Sequence, residues 1–437
     1  MTSQVPSEAP RGHPLRALRH RNFKLFFSGQ LISLVGTWMQ QVAQSWLIFR
    51  LTHSPLLLGF VGFAGQFPSF LLGPIGGHIA DAFDRRRTLV MTQTASMILA
   101  FILAALTLGD VIQNWHIFLL AALLGVVNAV DVPVRQAFLV QMVEREDLMN
   151  AIALNSSMFN GARIVGPAIA GLLVAAIGEG WCFFANGVSY IAVIIGLVMM
   201  SPRTVAPQSI SSSPLANILE GFRYVTNKAP IRALLLLLGL ASFAGMPYTV
   251  LMPVFADDIF HTGARGLGIL MGASGVGALI GSVMLAMRHT VSGLGRWVAI
   301  ASGSFGLFAI VFGLSRSFAL SIVALVPVGI SMMVQMASSN TLIQSMVPDA
   351  LRGRVMAVYS MMFVGLGPIG ALIAGALAHR IGAPMTVAAG GFLTILGAIA
   401  FALRLPALRG EARQLIIAQQ SGAGETTQQT TATGAEA

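Results

Sequence analysis

The chain has 437 residues, of which 55% are hydrophobic and only 10% charged, against roughly 25% charged in an average soluble domain. So few charges cannot keep that much apolar surface dispersed in water, which excludes a soluble enzyme, and the hydrophobicity excludes disorder for most of the chain. The formal charge of +10 would suggest nucleic acid in a soluble protein, but the basic residues cluster in short loops between apolar runs and read as determinants of membrane orientation.

Residues 1–22 are polar, with Pro6, Pro10 and Pro14 and no apolar stretch, and predict a cytoplasmic N-terminal segment without a cleavable signal. A spanning helix needs about 20 apolar residues. Apolar runs predict helices near 23–49, 56–80, 88–108, 116–140, 149–177 and 182–200, then 231–255, 266–287, 296–314, 317–345, 354–379 and 384–404. The fold class expected is therefore an all-α polytopic membrane protein with twelve transmembrane helices. They form an N-terminal bundle over 23–200 and a C-terminal bundle over 231–404. Between them, 201–230 reads as a cytoplasmic linker. Its 201–213 stretch is Pro/Ser-rich, and Leu215, Ile218, Leu219, Phe222 and Val225 then recur at helical spacing, as in an amphipathic helix on a membrane surface. Residues 405–437 are expected to be a disordered cytoplasmic tail.

Lys and Arg on alternate sides of these helices number twenty against four, with Arg135 and Arg163 inside helices. That asymmetry places both termini in the cytoplasm. The halves also repeat: Ile169-Ala170-Gly171 returns as Ile373-Ala374-Gly375, and Gly161, Gly166 and Gly178 match Gly365, Gly370 and Gly382 at the same offset. Two pseudo-symmetric six-helix bundles are a transporter architecture.

Intramembrane polar residues are few and informative. Gln30, Ser33, Thr37, Gln40 or Gln41, and Gln44 form a stripe on the first helix, and in hydrocarbon such a stripe must face protein or water. Asn128, Ser156, Asn160 and Gln335 extend the candidate substrate cavity; interhelical hydrogen bonding is the competing account. Asp131 is the acid most clearly within a helix, with Arg135 one turn on and Arg163 a further candidate partner. The three are proton-coupling candidates, and a static Asp131–Arg135 ion pair is the alternative. Cys182 is the one cysteine, and no Cys/His set has metal-ligand spacing, so neither metal nor cofactor is expected. No phosphate loop for ATP is present.

The turn between the second and third helices reads Gly77-His78-Ile79-Ala80-Asp81-Ala82-Phe83-Asp84-Arg85-Arg86-Arg87. It resembles the signature of the major facilitator superfamily at Gly77, Asp81, Arg85 and Arg86, while Ala82 and Asp84 depart from it. Gly77 is expected to permit close helix approach, and Asp81 to pair with a neighbouring helix N-terminus, making Gly77, Asp81, Asp84, Arg85 and Arg86 a conformational gate. Gly166, Pro167 and Gly171 resemble the superfamily's antiporter-associated motif, with Pro167 bending the fifth helix. The string Asp-x-Pro-x-Arg-Gln-Ala-Phe at 131–138 is similar to the enterobactin and macrolide exporter branch. That resemblance implies a monomeric secondary transporter of a bacterial inner membrane. It would exchange protons for a siderophore, antibiotic or other drug. A proton-linked importer or uniporter, and a non-transporting sensor, are the other readings.

Overall fold

A computed structural model describes residues 15–201, 214–288, 290 and 293–434. The sequence expectations for the segment before Leu15 and for the Pro/Ser-rich break at 202–213 lie outside the described residues. The helices are α1 (Arg21–Thr52), α2 (Pro55–Ala82), α3 (Arg85–Leu108), α4 (Asn114–Leu139), α5 (Leu148–Ile177) and α6 (Glu179–Met199). After the linker come α7 (Pro214–Asn227) and α8 (Ala229–Ile259), α9 (Gly263–Ala286), α10 (Leu294–Leu314), α11 (Phe318–Met346) and α12 (Asp349–Ile381). The last, α13, spans Ala383–Gly434.

Helix starts follow local chemistry. Ser54 caps α2 ahead of Pro55, and Asp84 caps α3 by accepting from the Arg87 amide at 2.7 Å; both satisfy an orphan first-turn donor. Gly178 and Gly382, the repeat partners, close α5 and α12 at φ 87° and 84°, a conformation a side chain disfavours. Among the described residues eleven helices are long and apolar enough to cross a membrane. The other long helix, α1, is less apolar because it carries the Gln/Ser/Thr stripe.

Three elements differ from the sequence expectation. The predicted seventh span ends near 255, but α8 runs to Ile259 with π-turns at Ala241–Gly245 and Phe255–Ile259. The eleventh begins at Asp349 rather than 354, with a π-turn at Met361–Gly365. The third lies in the predicted tail, which is helical beyond 405: Leu405, Leu408, Ala412, Leu415 and Ile416 lie at helical spacing and pack on the cluster around Val355, Val358 and Ile343. Polar composition downstream concealed that stripe. The amphipathic reading of the linker is seen in α7, where Val225 is buried and Phe222 packs on the same cluster, while Glu220 pairs with Arg354 of α12 at 2.6 Å.

The bundles α1–α6 and α8–α13 meet along two seams, α2 against α12 and α5 against α9. Each seam is built on glycine. A Cβ at Gly171 would lie 3.0 Å from Gly268 Cα, and one at Gly375 would lie 2.9 Å from Gly59 Cα. These are the glycines of the repeated Ile-Ala-Gly triplets, so the duplication places the same backbone-to-backbone contact on both sides of the molecule. Both contacts lie at the ends of the helices away from the Arg-rich loops. Toward those loops a Cβ at Gly161, Gly73 or Gly77 would meet nothing within 4 Å. Among the described residues the glycine contacts between the bundles thus lie toward the face away from the Arg-rich loops.

Valine at Gly171 or Gly375 should therefore prevent this closure. Overpacking of about 1–3 kcal/mol shifts the population at least fivefold toward a state open on that face. Reactivity of a cysteine placed at Val254 with a membrane-impermeant thiol reagent checks it; unchanged reactivity in both variants would count against the seams as the closing contacts.

Candidate functional site

The polar stripe of α1 divides on folding. Gln30, Gln40 and Gln44 are buried, Thr37 is half-buried and Gln41 is exposed. Gln40 Oε1 accepts from Asn186 Nδ2 of α6 at 2.7 Å, so this member serves interhelical bonding. Tyr190 adjoins Thr37 and Asn186 and lies within electrostatic reach of Asp131, which links the stripe to the charge on α4. Asn128 and Asn160 are half-buried and Ser156 is exposed; Asn160 Nδ2 donates to the Ser156 carbonyl at 2.9 Å.

Asp131 is 1% exposed. One carboxylate oxygen accepts from Thr92 Oγ1 and Gln93 Nε2 of α3, each at 2.7 Å, and the other pairs with Arg135. Thr92 and Gln93 were not foreseen: α3 gives no pattern of its own there, and their role appears only when α3 lies against α4. Gln93 Oε1 and Arg135 Nε are buried without partners. The site therefore holds a charged pair with spare polar capacity, where a proton or water could be accommodated.

Arg163 does not belong to this group, which corrects its expected role as a partner of Asp131. It lies on α5 with its guanidinium 5.9 Å from the centroid of the Trp38 ring and Nη2 3.7 Å from Met332 Sδ of α11. Insertion scales set about 2.5–3.5 kcal/mol for an Arg at this depth. Among the described residues it forms no ion pair with a carboxylate. Beyond Met332 lies a small cavity, with room for about one water, lined by Met246, Met332, Met336, Phe305 and Gln335, between two π-turns. Ser242 of one π-turn donates to the Phe363 carbonyl of the other at 2.5 Å. Gln335 lies in this C-terminal pocket and reaches the Leu237 carbonyl at 3.5 Å.

The expected gate is rearranged. A Cβ at Gly77 meets open space, whereas one at Gly76 would strike the Ala129 carbonyl of α4; close approach belongs to the neighbouring glycine. Asp81 is exposed and reaches only as far as Arg85, at 3.8 Å, because α12 starts on α7 rather than against α2. Arg85 donates to the carbonyls of Ala80 at 3.0 Å and Ala137 at 3.2 Å, and Arg86 to Leu197 at 2.6 Å and to Val198. Both cations thus neutralise carbonyl ends of α2, α4 and α6. In the α5 motif, Gly166 packs on Val35 and Trp38 of α1 rather than on α9, and Pro167 leaves the Arg163 carbonyl without its helical donor.

Two further clusters escaped sequence reading because their members are far apart in the chain. Asp147, 1% exposed, accepts from His20 Nε2 at 2.7 Å, Arg19 at 2.8 Å and Arg16 at 3.0 Å, docking residues 15–20 on the start of α5. At the closed face His53, just after α1, and Asp257 and Asp258 of α8 hold side-chain N and O atoms within 4.8 Å of one another, a grouping that spacing could not show.

Two helical bundles, seamed at one face, open at the other and enclosing isolated charges, define a secondary transporter of the major facilitator type. The fold matches solved structures of that class: the nucleoside transporter NupG (TM-score 0.67, 16% identity, 89% of this chain and 99% of that one) and a bacterial homologue of the lysosomal transporter Spinster in an inward-facing conformation (0.61, 16%, 94% and 99%). The chain belongs to the transmembrane secretion effector family, whose model matches residues 13–423. Among its relatives are the staphyloferrin A transporter of Staphylococcus aureus, 29% identical over 85% of this chain and 93% of that one, and the enterobactin exporter EntS of Citrobacter koseri, 26% over 90% and 93%. It is a multi-pass protein of the bacterial inner membrane, a transporter and not an enzyme.

The Asp147 cluster is testable by pH. The His20 hydrogen bond, followed by the Arg19 and Arg16 charges, holds the Asp147 carboxyl below its ordinary value of 3.8, against burial, which pushes it up. A depressed carboxyl contributes docking stability above its ordinary value that is lost as pH falls through the folded one. Backbone 15–20 should stay protected from hydrogen exchange at pH 5–8, as round-number test conditions above about 4, and should lose protection in Asp147→Asn at pH 7.

Proposed function

We propose that the protein exports a small amphiphilic compound, a siderophore, antibiotic or other drug, in exchange for protons, working as a monomer by alternating access. The observation that carries this reading is Asp131: a carboxylate 1% exposed within a membrane-spanning helix, tied to Arg135 and to two side chains of a neighbouring helix. Protonation neutralises it, releases Arg135 and loosens the α3–α4 contact. Ionisation restores both, so proton occupancy can bias one bundle arrangement over the other. The Arg-rich loops support a cytoplasmic location for the open face and both termini. Residues 23–200 and 231–404 act as the two moving bodies.

In this state the cavity would load from inside, and protons would return as the compound leaves. One charge crossing 100 mV releases about 2.3 kcal/mol, so at ~150 mV a single proton sustains roughly a 300-fold gradient. The relatives named for staphyloferrin A and enterobactin support a siderophore as cargo. In reconstituted vesicles, an imposed pH gradient should drive flux of such a compound, and Asp131→Asn should cut the pH-driven component more than tenfold while ligand binding stays within a few-fold. Full pH-driven flux in that variant, with unfolding temperature matched to the parent, would remove Asp131 from the coupling.

A further inference from the structure

Arg163 is the intramembrane cation that the proton site leaves unused. Arg135, the other, is satisfied by Asp131. Around Arg163 the described neighbours are an aromatic face, a thioether and the buried Tyr248, whose hydroxyl is already bonded to Ser274 at 2.8 Å. None supplies negative charge. Its position is central: it sits on α5, touches α1 through Trp38 and reaches α11 through Met332, so it adjoins both bundles. A positive charge left unneutralised at that depth marks a functional site, and the missing partner is an anion.

We propose that Arg163 anchors an anionic group of the transported compound, with the ring of Trp38 and the thioether of Met332 beside it. The guanidinium presents a planar fork that matches a carboxylate or similar paired-oxygen anion. Trp38, itself braced edge-on by Phe159 at 5.7 Å, fixes the height of the guanidinium and offers a ring to an aromatic cargo. Met332 beside the guanidinium is unbranched and polarisable, and such side chains adapt to cargoes of differing outline. The anchor demands charge, so the site selects organic anions over neutral or cationic compounds of equal size. This inference rests on the transport reading in one respect, that the space between the bundles is where cargo binds.

The test uses the full chain in lipid nanodiscs and two probes that differ only in charge, dansylglycine and dansylglycinamide. The wild type should bind the acid at least tenfold more tightly than the amide. Arg163→Gln should abolish that preference by weakening the acid alone, with the amide unchanged within twofold. Arg163→Lys, which keeps the charge and loses the fork, should retain an intermediate preference and guards against a Gln variant that fails to fold. The proposal is overturned if the wild type shows no preference, if either variant weakens both probes equally, or if Arg163→Gln keeps the wild-type ratio. A charge preference that depends on Arg163, found together with no pH-driven flux in vesicles, supports the anchor and removes the transport reading instead.

Discussion

The arrangement of the molecule depends on two places where helix backbones touch without side chains between them. In lipid no hydrophobic force draws helices together, and association relies on close packing of small residues. Gly171 against Gly268 and Gly59 against Gly375 provide it at the closed face. No polar bond has to be broken there, so the seams can part at modest cost. A branched side chain at either place would hold the bundles apart. The contact is therefore close, yet made by packing alone.

With the seams in place, the charges occupy distinct settings. Asp131 and Arg135 lie within the N-terminal bundle, bonded to α3 of that same bundle, so a change in protonation acts first on packing within one body. Arg163, by contrast, lies between bodies. Asp131 and Arg163 are thereby kept apart, and neutralising one need not neutralise the other.

Much of this was legible in the chain. Hydropathy marked the spans to within a few residues, and the Ile-Ala-Gly repeat marked the seam glycines before any contact was known. Asp131 and Arg135 stood out because charges are rare among apolar residues. What escaped was information that only packing creates. Thr92 and Gln93 are ordinary polar residues until α3 meets α4. Asp147 pairs with residues 127 to 131 positions away, and His53 approaches two acids about two hundred positions downstream. The motif glycine was misread by one position, Gly77 for Gly76, because a signature records which residues recur and not which of two adjacent glycines faces the neighbour. Helical residues beyond 405 were hidden by a polar composition that masked an apolar stripe.

The halves, though duplicated, are built for different mechanical roles. In the N-terminal bundle the ends of α2, α4 and α6 are bound together by Arg85 and Arg86, and Asp147 fastens the preceding segment to α5. α1 and α6 are joined at the other face by Arg50 and Glu179 at 2.8 Å. Such ties favour a body that moves as a unit. The C-terminal bundle instead carries three π-turns, at 241–245, 255–259 and 361–365. π-Turns widen a helix locally and are frequent at functional sites. Two of them face each other through Ser242 and Phe363, beside the methionine pocket. The sequence repeat thus set a common frame, and the π-turns, seen among the described residues in the C-terminal half alone, are the departure from its symmetry.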